Sequence, residues 1–292
     1  MKAIVAGTRA SPLALAQTRI VINLLKRKNK QLRFEIKKIK TEGDLGVTGK
    51  DTFTKAIDRA LESSEIDLAV HSMKDVPVLI SKKLVISAYP KRESPFDVLI
   101  TKRKSVTLDT LPESAKVGTS SIRRAIQLKA ARPDIEIVEI HGNVQTRLKK
   151  LRTGDLDALI LARAGLKRLK LMKGRALTKK VMLPAPGQGC LALMTRRSDL
   201  QTRKIVSTID DEDTRFAVTA ERAFSRTLGG GCNLPIAALA TVKGEKLVLD
   251  GIVESTNSKP VIARSHIEGK KKDAEKLGRK LALQLKKVAM RK

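Results

Sequence analysis

Short apolar runs alternate along the chain with stretches whose apolar residues recur every three or four positions, and most runs end in a polar corner. Residues 3–6 form such a run and pass into Gly7-Thr8-Arg9-Ala10-Ser11-Pro12. Ser11 as N-cap with Pro12 at the first helical position predicts a helix start, with Leu13, Ala16, Ile20 and Leu24 recurring on one apolar face. A second strand is predicted over 34–39. Residues 41–54, rich in Gly, Asp and Thr, predict a mobile loop whose large apolar residue is Phe53. A helix over 54–63 leads to a strand over 66–70, which empties into His71-Ser72-Met73-Lys74-Asp75-Val76-Pro77.

The pattern then repeats. A proline-bearing, charged segment at 89–96 predicts a crossing between domains. It is followed by a strand over 97–101, a corner at 116–124 and a helix to about 131. Next come a strand over 135–140, a helix over 144–152 carrying Arg147, a strand over 157–162 and a basic helix carrying Arg168. Gly7-Thr8 and Gly118-Thr119 occupy equivalent places in two similar units. After a Pro/Gly-rich link at 183–189, a helix over 210–228 precedes three alternating strands at 236–242, 247–253 and 261–267. Turns at 243–245 and 256–258 join them, and a basic amphipathic helix over 273–290 closes the chain. The predicted fold is two facing α/β domains, like those of periplasmic ligand binders, plus a small α+β C-terminal domain.

Composition narrows the partners. Sixty Lys and Arg against thirty Asp and Glu give a net charge of +30, a balance that favours polyanions. The cations are spread over the helices, however, and one Tyr with no Trp leaves little to stack on bases. No stretch approaches the ~18 apolar residues of a membrane span, and the first residues, Met-Lys-Ala-Ile-Val-Ala-Gly-Thr-Arg, hold no long apolar core before a cleavage site. Two cysteines, Cys190 and Cys232, match no metal spacing and suit a reducing compartment, so a cytoplasmic protein without metal is expected.

Chemistry concentrates at the strand ends. In open α/β sheets ligands bind beyond the carboxyl ends of strands, which puts His71, Lys74 and Asp75 at the mouth of a cleft. The bland alternative is a satisfied histidine and a surface Lys-Asp pair. The corners at Gly7 and Gly118 offer helix N-termini to anions. Cys232 lies in Gly229-Gly230-Gly231-Cys232-Asn233, a turn stripped of side chains that lets a bulky group reach the thiol. A small buried side chain at a helix C-cap is the competing interpretation.

The heptad at 71–77 resembles a signature of the porphobilinogen deaminase (hydroxymethylbilane synthase) family. So do Gly-Thr-Ser-Ser-Ile-Arg-Arg at 118–124, Gly-Asn-Val-Gln-Thr-Arg-Leu at 142–148, Ala-Gly-Leu-Lys-Arg-Leu at 164–169, Pro-Gly-Gln-Gly at 186–189 and Gly-Gly-Gly-Cys at 229–232. The resemblance implies a first domain of residues 1–92 and 187–207, a second of 93–186 and a third of 208–292. It implies an enzyme that joins four porphobilinogen molecules, releasing ammonia at each step, on a dipyrromethane held as a thioether by Cys232, and then hydrolyses the chain to hydroxymethylbilane. By motif position Asp75 stabilises the cationic pyrrole, with Lys74 and Arg9 as further catalytic groups. Ser121, Arg123, Arg124, Thr119, Ser120 and Gly142 hold the cofactor together with Lys74 and Asp75. Arg9, Ser11, Arg147, Arg168, His141 and Phe53 receive substrate. Several fixed cations suit accumulating carboxylates, and arginine suits them better than lysine.

The sequence departs from the family at His141, where arginine is usual, at Asp51, and at Met194, where glutamate is frequent. A monomer without obligatory protein, nucleic-acid or membrane partners is expected. A ligand-binding protein without catalysis would have no use for Asp75 or Cys232, and a nucleic-acid binder would show salt-sensitive affinity.

Overall fold

The structure, a computed structural model, describes residues 3–41, 54–171, 174–229, 235–254 and 262–290. The predicted loop, apart from Thr41 and Thr54, lies outside them, as do Phe53, Asp51, Cys232 and the turn at 256–258.

The first unit comprises β1 (Ile4–Arg9), α1 (Pro12–Lys28), β2 (Phe34–Ile39), α2 (Lys55–Glu62), β3 (Leu68–Ser72) and β4 (Leu84–Ala88). The second comprises β5 (Asp97–Thr101), β6 (Lys116–Gly118), α3 (Ile122–Ala131), β7 (Glu136–Val138), α4 (Val144–Thr153), β8 (Ala158–Ala162), α5 (Arg163–Arg168) and β9 (Arg175–Ala176). The chain then returns to the first sheet as β10 (Leu191–Arg196), followed by α6 (Leu200–Ser207). The two sheets run β2-β1-β3-β10-β4 and β7-β6-β8-β5-β9, with the strands entered from the two crossings, β10 and β5, antiparallel to β3 and β8 in matching places.

Their equivalence holds at single residues. Gly7 pairs with Ala69 and Gly118 with Leu159, each between parallel strands. A β-carbon on Gly7 would lie 2.3 Å from Ile66, and one on Gly118 would lie 2.6 Å from Leu159. Asp67 accepts the Val5 N–H at 3.0 Å, as Asp157 accepts the Lys116 N–H at 2.8 Å. Both sheets are covered on both faces. In the first, Val21, Ile22 and Leu25 pack on Ala6, Leu68 and Val70, while Ile57 and Leu61 pack on Ala69 and Ala192. Met194 lies in the latter cluster, wholly enclosed by apolar neighbours.

The face predicted for α1 is corrected. Ser11 does cap it and Pro12 does begin it, but the residues it buries are Gln17, Thr18, Val21, Ile22 and Leu25. Ile20 is exposed, and Leu13 lies within van der Waals contact of the place a β-carbon on Gly165 would take. The sheet claims one stripe of the helix while its first turn faces α5 of the other unit. Periodicity alone does not distinguish these neighbours.

The C-terminal unit has α7 (Glu212–Thr227), β11 (Ile236–Lys243), β12 (Lys246–Glu254), β13 (Ile262–Lys270) and α8 (Ala274–Met290). The strands form an antiparallel meander. Phe224 and Leu281 from the helices pack on Leu247 and Leu249, and burying a Phe or Leu side chain contributes roughly 1.5–3 kcal/mol. The other face packs Leu239 and Ile252 against Leu183 of the link.

The two crossings between the α/β units run side by side. The Glu93 N–H donates to Gly189 O at 3.2 Å. Gly189 has φ +87°, and a β-carbon there would lie 2.3 Å from Glu93 O, so only glycine fits.

Candidate active site

β3 runs further than its apolar residues suggest. His71 and Ser72 are still strand, and Met73–Asp75 form a single 3-10 turn. Met73 is enclosed in the core and its N–H donates to Cys190 O at 3.0 Å, which turns Lys74 and Asp75 outward. Arg222 of α7 holds the chain beyond, donating to Pro77 O at 2.7 Å and to the carbonyls of Val76 and Val78. The third unit therefore helps fix the loop that carries Asp75.

A small cavity beside this loop is lined by Arg9, Ser11, Gln17, His71, Ser72 and Asp75, among others. Gln17 donates to Ser72 Oγ at 2.9 Å, tying α1 to the strand end. His71 is not an open group at the mouth: its side chain is 4% exposed, with Nε2 3.6 Å from Asp58 Oδ1. Asp75 is exposed. Its carboxylate makes no hydrogen bond or ion pair with a described residue.

Lys74 lies at the seam between units. It keeps contact with water, yet the cleft walls crowd it, and that desolvation lowers its pKa. Asp75 opposes the shift and Arg124 adds to it. Its Nζ donates to Gln188 Oε1 at 3.4 Å, and Gln188 Nε2 donates to Asp97 Oδ1 at 2.9 Å.

Asp97 has no exposed surface and takes the Nη2 groups of Arg123 and Arg124, each at 2.8 Å. Burial alone would raise its pKa; Arg124 and Arg123 overcome that and hold the carboxyl far below the usual range. The other arm of Arg123 donates to Leu183 O and that of Arg124 to Ile160 O. These arginines are thus anchored in the protein rather than projecting into solvent. The Nε of Arg124 is buried with no partner among the described residues.

The remaining predicted residues are partly engaged. Thr119 Oγ1 accepts the Ser121 N–H at 3.1 Å, and Ser120 Oγ donates to Ile140 O at 2.8 Å. Ser121 precedes α3 without a side-chain cap. Arg147 Nε donates to Gly142 O at 2.8 Å, and Arg168 Nη2 donates to Gly189 O at 2.6 Å. His141 is two-thirds exposed, its Nε2 3.2 Å from Glu139 Oε1.

Profiles of known families match almost end to end. "Porphobilinogen deaminase, dipyromethane cofactor binding domain" covers residues 4–204, and "Porphobilinogen deaminase, C-terminal domain" covers 215–287. The chain belongs to the porphobilinogen deaminase family. Porphobilinogen deaminase of Limosilactobacillus reuteri (strain DSM 20016) is 41% identical over 292 residues, 97% of this chain and 95% of that protein. That of Listeria welshimeri is 46% identical over 276 residues, 90% and 89% of the two chains. A solved structure, the probable amino-acid ABC transporter extracellular-binding protein from Bacillus subtilis, is 14% identical. It matches 72% of this chain and 90% of its own, with a TM-score of 0.43.

As a porphobilinogen deaminase the chain is a transferase acting on porphobilinogen with a dipyrromethane cofactor. The donors present fit that group. A dipyrromethane bears carboxylates, and the exposed ammonium of Lys74, next to Asp75, is coupled to the buried guanidinium groups of Arg123 and Arg124, the latter with an unpartnered Nε among the described residues.

Sequence reasoning passed over Asp97, Gln188, Gln17 and Glu221. Asp97 did leave a signal: it is a lone acid heading an apolar strand in a chain with two adjacent arginines at a predicted corner.

Proposed function

We propose that Asp75 is the catalytic carboxylate, stabilising positive charge on the substrate pyrrole as ammonia leaves, and that Arg9 and Lys74 act beside it. The observation that carries this is the position of Asp75: a carboxylate without a partner among the described residues, in a cavity with Arg9 and backed by Lys74. A negative group fixed at the place where positive charge develops is worth more in a partly dry cleft than in water.

Arg123, Arg124, Lys74, Thr119, Ser120, Ser121 and Gly142 hold the cofactor, and Cys232 anchors it. The dipyrromethane, when bound, supplies the covalent primer to which substrate is added. Ser11, Arg147, Arg168 and Phe53 receive the acid groups and ring of the substrate, whereas His141, exposed beside Glu139, stands outside this set. Four substrates join before hydrolysis to hydroxymethylbilane.

The domains run 1–92 with 187–207, 93–186, and 208–292; the separate sheets and the profile boundary between 204 and 215 support this division. The protein works as a cytoplasmic monomer without an obligatory partner, nucleic acid or membrane. Its scarce aromatics leave little to stack on bases, and among the described residues no helix is long and apolar enough to cross a membrane.

Asp75→Asn tests the role, because it preserves shape and removes charge. Turnover of porphobilinogen falls by about 10²–10³-fold while unfolding is unchanged. Near-native turnover removes Asp75 from the mechanism.

A further inference from the structure

We propose that Asp97 is a positioning residue that locks Arg123, Arg124 and, through Gln188, Lys74 into one fixed array of cations spanning the two α/β units. This rests on the reading that those cations hold the acid groups of the cofactor. Asp97 is enclosed and touches the cleft only through its partners.

The geometry fixes each guanidinium at two points. Arg123 donates to Asp97 Oδ2 and Leu183 O, and Arg124 to Asp97 Oδ1 and Ile160 O. Leu183 O is itself placed by Gln127, which donates to it at 3.0 Å and accepts the Leu183 N–H at 2.8 Å. Two points define the plane of a guanidinium, so the unpartnered Nε of Arg124 faces a set direction. Without Asp97, adjacent arginines at the start of α3 would repel and swing apart.

Gln188 extends the array across the seam. It is 1% exposed, donates to Pro95 O at 2.7 Å and Asp97 Oδ1 at 2.9 Å, and accepts from Lys74 at 3.4 Å. An amide can accept from an ammonium with its oxygen and donate to a carboxylate with its nitrogen at once. Leucine would break the link, and glutamate would set a second negative charge against Asp97. The carboxylate of Asp97 thereby senses, and is sensed by, a lysine of the other unit.

The role predicts a change in Lys74 opposite to that of mere loosening. Burial lowers the Lys74 pKa most, Asp75 opposes it, Arg124 and Arg123 lower it further, and Asp97 raises it. Removing that charge lowers it further and leaves more neutral amine at a given pH. Loosening, which lets water in, would raise it. Full-length chain from cells unable to make porphobilinogen is acylated with acetic anhydride across pH, and the Lys74 peptide is quantified by mass spectrometry. In Asp97→Asn the profile moves to lower pH, with roughly threefold faster labelling on its rising limb. In Gln188→Glu it moves to higher pH, with roughly threefold slower labelling.

An unchanged or higher midpoint in Asp97→Asn overturns the proposal. Should that variant fail to fold, an unchanged or lower midpoint in Gln188→Glu overturns it instead. The readout is independent of turnover. A native chain that never carries the cofactor would refute the proposed function and leave this titration intact.

Discussion

The guanidinium of Arg92 meets both carboxylate oxygens of Glu221, at 2.6 and 3.1 Å, with Glu221 wholly enclosed. Arg92 belongs to the outgoing crossing between the α/β units. Glu221 also accepts the N–H of Gly187, on the return crossing, at 2.6 Å and that of Ala240, in the third sheet, at 2.8 Å. Arg92 Nε donates to Gln188 O at 2.9 Å. One carboxylate therefore joins both crossings to α7, the helix that precedes Cys232 in the sequence.

Glu221→Ala leaves Arg92 and two N–H groups buried without their acceptor. The expected loss of stability is about 3–5 kcal/mol, the usual consequence of removing one partner of a buried ion pair. Urea unfolding of the variant measures it. A loss below about 1 kcal/mol would show that water replaces the carboxylate and that the junction is not dry.

At Gly189 the backbone, rather than a side chain, sets the limit. Alanine there must adopt φ +87° and place its β-carbon 2.3 Å from Glu93 O. Gly189→Ala therefore costs roughly 1–3 kcal/mol or more, read as a lower melting temperature. Because Gly189 O accepts from Arg168, turnover falls as well. Unaltered stability would mean that the crossings part without strain.

The resemblance puts an arginine at the position of His141, yet the His141 side chain is two-thirds exposed and sits beside Glu139. It is not among the residues lining the cavity that contains Asp75. His141→Arg consequently alters turnover by less than about twofold, the scale of an exposed charge pair, and the pH profiles superimpose. A flattened profile in the variant would place His141 among the charges that catalysis uses.

Sequence periodicity was sufficient for elements whose burial is simple. The strand at 34–39, the strand at 97–101 and the meander beginning at 236 stand where the apolar residues put them. It missed β4, β10 and α6, because β10 is buried along nearly its whole length and carries no alternation, β4 is a short edge strand, and α6 buries only Thr202 and Val206. It chose the wrong stripe of α1, since the first turn of that helix faces another unit. Motifs located Asp75 and Lys74 on one loop, but not what stands behind them. Asp97, Gln188 and Glu221 act through contacts 26 to 129 residues away in sequence, which no local pattern contains.

The central claim is that Cys232 carries a covalent dipyrromethane. Cys190 is 1% exposed and burial pushes its thiol up to about 12, so it is unsuited to attack or attachment. The direct measurement is the intact mass of the denatured chain, purified from cells able to make porphobilinogen. The account predicts the sequence mass plus one dipyrromethane, retained in Cys190→Ser and absent in Cys232→Ser. The bare sequence mass for the native chain, or an adduct that survives Cys232→Ser, would contradict it.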